Sequence, residues 1–197
     1  MSRPAVILFD LGGVLLPFDR ERRALAVARR LGVGAEAVRA LFAGDLPVRM
    51  DRGEAHEADL AAAFGALAGR PVPEDEAREL ILSVFGAPNT ELWALAGALK
   101  AALAVGGFSD NPSFVRQLFP AGAALDPMIF SSEIGASKPS EAAFAAAEAR
   151  AGAKGAEILF VDDSVANVTA ARRRGWDAIL FRSNAELTAE LEQRGLP

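Results

Sequence analysis

The sequence contains no cysteine, which excludes disulfides and thiolate metal sites together. It has one histidine, His56, set beside Arg52, Glu54 and Glu57 in a helical stretch. We read that histidine as a solvated surface residue. No Lys/Arg-rich run is present and the net charge is −5, so a nucleic-acid partner is disfavoured, because backbone binding needs clustered positive charge. Arg172, Arg173 and Arg174 form a basic triplet, but they fall late in a predicted helix, where cations complement the helix dipole. Long apolar runs are missing as well. The stretch from Ala5 to Phe18 is broken by Asp10, is shorter than a membrane span and lacks the form of a secretory signal. The expectation is a cytoplasmic protein with no membrane association. No internal repeat or low-complexity linker is visible.

What is present is a large apolar fraction, 51% of 197 residues, enough for a sizeable core in one domain or in one domain with an insert. Val6-Ile7-Leu8-Phe9 continues an apolar run from Ala5 that ends at Asp10. A short, continuous run of β-branched and aromatic residues fits a strand buried on both faces of a parallel sheet. Between about Glu21 and Gly86 the pattern becomes helical: Leu25, Ala28 and Leu31, then Val38, Leu41 and Phe42, then Leu60, Phe64 and Leu67, then Leu80, Ile81, Val84 and Phe85. Gly32, Gly34, Gly44, Pro47, Gly53, Pro71 and Pro73 separate these segments, which predicts an insert of about four helices. After Pro88, helices alternate with strands over 103–108, 128–131, 158–161 and 178–181. Such alternation means βαβ units and a parallel sheet of five or six strands, a Rossmann-like α/β fold. The expected division is an α/β core of residues 1–16 and 87–197 with an all-helical cap of residues 17–86.

Four polar positions fall at or just beyond the carboxyl ends of predicted strands: Asp10, Ser109, Lys138 and the pair Asp162-Asp163. In an open parallel sheet, ligands bind in the crevice outside those ends. Each position has a plainer reading. Asp10 caps a turn, Ser109 and Asp163 cap helices, and Lys138 is a surface cation. Together they make a coherent phosphoryl-transfer set of nucleophilic carboxylate, hydroxyl, cation and metal-binding pair. Adjacent carboxylates raise each other's energy, and a hard divalent cation such as magnesium is their natural partner.

The order of these residues resembles the haloacid dehalogenase-like (HAD) superfamily. Phe9-Asp10-Leu11-Gly12-Gly13-Val14-Leu15 is similar to its first motif, Phe108-Ser109-Asp110-Asn111 to its second, Ser137-Lys138-Pro139 to its third, and Asp162-Asp163-Ser164-Val165-Ala166-Asn167 to its fourth. The Gly-Gly form of the first motif and the stretch Met50-Asp51-Arg52-Gly53-Glu54 resemble the sugar-phosphate phosphatase branch, including α-glucose-1-phosphate phosphatases. The resemblance implies that Asp10 attacks phosphorus and that Asp10, the Gly12 carbonyl and Asp162 hold Mg2+ with Asp163 close by. It implies further that Ser109 and Lys138 hold the phosphoryl group of a small phosphorylated metabolite.

The sequence departs from the pattern in two places. Many phosphatases of this superfamily carry a second acidic residue two positions after the nucleophile, to protonate the leaving group. Here that position is Gly12. Asp19, in the linker to the helical insert, is a candidate replacement and a candidate substrate contact. Asp110 adds a negative charge beside the phosphate site, which weakens anion binding unless it points away or meets a substrate hydroxyl. Gly106 and Gly107 sit unusually inside a strand. Three functions compete: a magnesium-dependent phosphatase, a catalytically silent metal- or metabolite-binding protein, and a metal-independent hydrolytic dehalogenase. Asp163 and the lack of an aromatic residue at position 12 argue against the dehalogenase. A monomer or a homodimer is expected.

Overall fold

The computed structural model describes residues 3–123 and 125–197. Five strands form one parallel sheet: β1 (Val6–Phe9), β2 (Ala104–Ser109), β3 (Met128–Phe130), β4 (Ile158–Asp162) and β5 (Asp177–Leu180), in the order β3-β2-β1-β4-β5. All four residues of β1 are buried, as a central strand covered on both faces requires.

Successive residues of a strand point to opposite faces, so β1 divides its side chains between two cores. Ile7 and Phe9 pack with α6 (Thr90–Leu99) and α10 (Asn184–Gln193) through Leu92, Leu99, Leu187 and Leu191. Val6 and Leu8 pack on the other face with α8 (Glu141–Ala151) and α9 (Val165–Arg173) through Phe144, Ala147, Val168 and Ala171. On that second face Phe108, Phe144, Phe160 and Trp176 form an aromatic nest with ring centroids 5.0–6.5 Å apart. Trp176 Nε1 donates to Glu148 Oε1 at 2.9 Å, which satisfies its polar edge. Trp93 and Trp176 are both core residues, 8% and 3% exposed.

The chain between β1 and β2 carries five helices before α6: α1 (Arg20–Leu31), α2 (Ala35–Ala43), α3 (Leu46–Asp51), α4 (Glu57–Ala68) and α5 (Glu74–Leu82). They share their own hydrophobic cluster, centred on Val27, Val38, Leu60, Phe64 and Leu80. Sequence spacing predicted about four. The additional helix is α3, where Pro47 reads as a breaker in the sequence. Proline sits there in the first turn, where its missing N–H costs nothing. Ser113–Leu118 is a 3-10 helix, and α7 (Ser131–Ile134) is a single turn directly after β3. Among the described residues no helix is long and apolar enough to cross a membrane.

The glycines inside β2 have a packing reason. A Cβ on Gly106 would run into the Pro127 carbonyl, and one on Gly107 would meet Met128 Sδ at 2.5 Å. The Pro127 backbone leaves no room for a side chain at Gly106, and the Leu125 and Met128 side chains occupy the space that one at Gly107 would need.

Candidate active site

From β1 the chain steps outward through β2 to β3, then returns across the sheet to β4 and β5 on the other side of β1. The reversal at β1 opens a crevice at the carboxyl ends of β1 and β4, the usual ligand position in such sheets. Phe9 is in register with Val161, and the Asp10 N–H donates to the Val161 carbonyl at 2.8 Å. Asp10 and Asp162 therefore end neighbouring strands side by side. Lys138, whose side chain is 1% exposed, lies between them. Its Nζ is 3.0 Å from Asp10 Oδ1 and 2.8 Å from Asp162 Oδ2, and it donates to the Phe108 carbonyl at 2.9 Å. The ammonium also lies 5.1 Å from the Phe108 ring centre and 5.4 Å from that of Phe160, so the aromatic nest forms its floor.

Asp162 is held from every side. Ser164 N–H donates to Oδ1 at 2.8 Å, and Asn167 Nδ2 lies 3.1 Å from both oxygens. Ser164 caps α9 and Asn167 lies in its first turn, where backbone N–H groups and the helix dipole both favour an anion. Asp163 completes the acidic group, with carboxylate oxygens of Asp10, Asp162 and Asp163 all within 4.8 Å of one another. Gly13 makes this possible. It has φ of +81°, and any Cβ there would collide with the Asp163 carboxylate.

The electrostatics follow from burial. Burial pushes the Asp10 carboxyl up to about 7, Lys138 pulls it down, and Asp162 adds to the rise. Burial and Asp162 raise Asp163 as well. Burial acts to lower Lys138, but Asp10, Asp162 and Asp110 outweigh it and hold the ammonium well above its ordinary value. One lysine thus faces four carboxylates, and the cluster is short of positive charge. Its donors are all hard oxygens, with neither cysteine nor histidine among them. Such a set fits magnesium better than a softer metal.

Ser109 is fully buried at the end of β2, and its Oγ accepts from Asn111 Nδ2 at 2.9 Å. Asp110 turns toward the backbone of the lysine loop, where its Oδ1 accepts from the Lys138 N–H at 3.0 Å. That bond ties the second motif to the third, a role not foreseen from sequence. Asp19 is elsewhere. It is exposed and caps α1, its Oδ1 accepting from Arg22 N–H at 2.9 Å. No described hydrogen bond or ion pair joins it to Asp10, Ser109 or Lys138, and its neighbour Arg20 acts on the Asp163 carboxyl. His56 is exposed, as expected. Arg39 pairs with Glu21 and Glu36, and Arg49 lies 4.0 Å from Asp59. Asn167 and Asp51 were not singled out in advance. Asn167 lies within the fourth motif, and only its double contact with Asp162 marks it.

Sheet order and side chains together define a Rossmann-like α/β protein with an acidic, lysine-bridged site at its topological switch point. The haloacid dehalogenase-like hydrolase family profile matches residues 4–175. The chain belongs to that family and is a hydrolase by membership. It is similar in structure to the HAD family enzyme BT-2542 from Bacteroides thetaiotaomicron, with a TM-score of 0.83 at 20% identity, over 96% of this chain and 99% of that one. That enzyme is also known in complex with magnesium and inorganic phosphate. A HAD-like family hydrolase from Porphyromonas gingivalis superimposes with a TM-score of 0.81 at 22% identity, over 96% of this chain and 98% of that one. L-2-haloacid dehalogenase from Xanthobacter autotrophicus gives 0.64 at 23% identity, over 96% and 83%. At these identities the likeness establishes a shared fold. Among curated proteins nothing matches.

Proposed function

We propose that the protein is a magnesium-dependent phosphatase acting on a small phosphorylated metabolite, of which a sugar phosphate is the leading class. The observation that carries this reading is Asp10 at the end of β1, with Lys138 at 3.0 Å and two further aspartates within metal-sharing distance. Asp10, the Gly12 carbonyl and Asp162 would hold Mg2+, with Asp163 beside them. The ion, when bound, neutralises phosphoryl oxygens and orients the group for in-line attack. The protein's own residues do the rest. Asp10 attacks phosphorus and forms an aspartyl-phosphate. Ser109 and the Lys138 ammonium hold the phosphoryl oxygens, which an uncompensated carboxylate cluster would repel. Water then releases phosphate from Asp10. In this reading residues 17–86 act as a cap over a core of residues 1–16 and 87–197, excluding bulk water on closure.

The magnesium and phosphate bound by the Bacteroides enzyme support the assignment. A carbon-attacking dehalogenase is less well served, because the third carboxylate, Asp163, has no use in a metal-free reaction. Gly12 keeps a weak or silent binding protein as the second reading.

The test is phosphate release from a panel of sugar phosphates, with and without magnesium, for wild type and Asp10→Asn. Magnesium-dependent release that vanishes in Asp10→Asn is expected. A folded protein that binds magnesium and releases phosphate from nothing on the panel would transfer the assignment to the silent reading.

A further inference from the structure

The first motif leaves one role open. Gly12 has no side chain, and a Cβ built there meets nothing within 4 Å, so the space beside Asp10 is empty of protein. A leaving group departing into that space needs a proton from elsewhere, and Asp19 is committed to capping α1.

Asp51, in the helical insert, is the candidate carboxylate. It is the last residue of α3, which packs against the single turn α7 of the α/β core. Two residues on, Gly53 sits so close to the core that a Cβ would strike the Ser132 carbonyl. Ser132 Oγ donates to the Asn111 carbonyl at 3.2 Å, and Asn111 Nδ2 donates to Ser109 Oγ at 2.9 Å. The end of α3 is thereby seated on α7, the turn after β3, which is itself hydrogen-bonded to the loop that follows β2. Asp51 is partly buried, and no described group hydrogen-bonds its carboxylate. The charged groups that act on it are Asp110 and Lys138 from the core and Arg23 from α1. Arg23 is fixed in turn by stacking 3.9 Å from the Phe42 ring centre. Burial, reinforced by Asp110, pushes the Asp51 carboxyl up to about 7, against the pull of Arg23 and Lys138. Such a group both gives and takes a proton near neutral pH.

We infer that Asp51 of the helical insert is the general acid and base of the phosphoryl transfer, replacing the carboxylate that Gly12 lacks. The inference rests on the phosphatase reading above. In the first step Asp10 Oδ forms a bond to phosphorus, and the bond from phosphorus to the leaving oxygen breaks. Its electron pair stays on that oxygen, which takes the Asp51 proton. In the second step Asp51, now a carboxylate, accepts a proton from water as the water oxygen attacks phosphorus. The bond to Asp10 breaks, releasing inorganic phosphate and restoring both aspartates. Because α3 belongs to the insert, the acid is in place only when insert and core are packed together.

The experiment compares wild type, Asp51→Asn and Asp10→Asn on an alkyl phosphate series and on p-nitrophenyl phosphate, with magnesium. An alcohol leaving group needs the proton and a nitrophenolate does not. Asp51→Asn is expected to lose roughly 10²–10⁴-fold in kcat on alkyl phosphates and less than about fivefold on p-nitrophenyl phosphate. Equal losses on both substrates, or no loss on either, would overturn the assignment while leaving the phosphatase reading intact. Failure of wild type to release phosphate from any of them would remove both. Should Asp51→Asn not fold, wild type alone decides. A shallow dependence of kcat/KM on leaving-group basicity supports an internal acid, and a steep one refutes it.

Discussion

Removing the Lys138 cation offers the sharpest test of how the site is held together. In Lys138→Met a side chain of similar length replaces an ammonium that is 3.0 Å from Asp10 and 2.8 Å from Asp162. At an effective dielectric near 20, each contact carries about 5–6 kcal/mol of attraction, much of it offset by the desolvation that all three groups have undergone. Breaking a buried pair by removing one partner costs about 3–5 kcal/mol, because the remaining charges stay buried. For a chain of this size that is a fall of roughly 10 °C in Tm. The sign with pH follows from Asp10. Its carboxyl already titrates near 7 with the lysine present, and without it the value moves higher. A carboxyl raised in the folded state adds stability at low pH and loses it as pH climbs through the folded pKa. The deficit of Lys138→Met against wild type is therefore larger at about pH 8 than at about pH 5, where Asp10 is protonated in both proteins and only the lost contact with Asp162 still counts. Urea unfolding of the magnesium-free proteins at the two pH values measures it. Equal deficits at both, or a deficit under about 1 kcal/mol at the higher pH, would refute the account of a lysine offsetting ionised carboxylates.

Three further outcomes follow from the same geometry. Magnesium affinity, measured by titration calorimetry, should rise up to about tenfold per pH unit toward 7 and then level off, because the Asp10 carboxyl must lose its proton to bind; a flat profile would contradict this. Asn167→Ala removes the amide that contacts both Asp162 oxygens, and should weaken magnesium binding by about 10–100-fold with little change in Tm. Asp19→Ala should cost about 0.5–2 kcal/mol of stability as a lost helix cap while kcat stays within a factor of about two; a large loss of kcat would return Asp19 to the site.

Local pattern carried much of this protein. The apolar run before Asp10, the switch from helical to alternating periodicity after Pro88, and the spacing of Asp10, Ser109, Lys138 and Asp162-Asp163 depend on neighbours in the chain. Period and turn chemistry report such features directly, and the five parallel strands followed from them. The α3 helix escaped because Pro47 reads as a breaker unless the start of the helix is known. Everything decided by contact between distant segments had to wait for the tertiary structure. Gly106 and Gly107 look like weak points in a strand until Pro127 and Met128 are seen against them. Asp110 looks like an unwelcome charge until its bond to the Lys138 backbone appears. Asp19 and Asp51 are both aspartates near helix ends, alike in sequence. Packing commits the first to an exposed cap and half-buries the second within the field of Asp110 and Lys138, because burial and the field of remote charges depend on how the helices dock and not on which residues flank them.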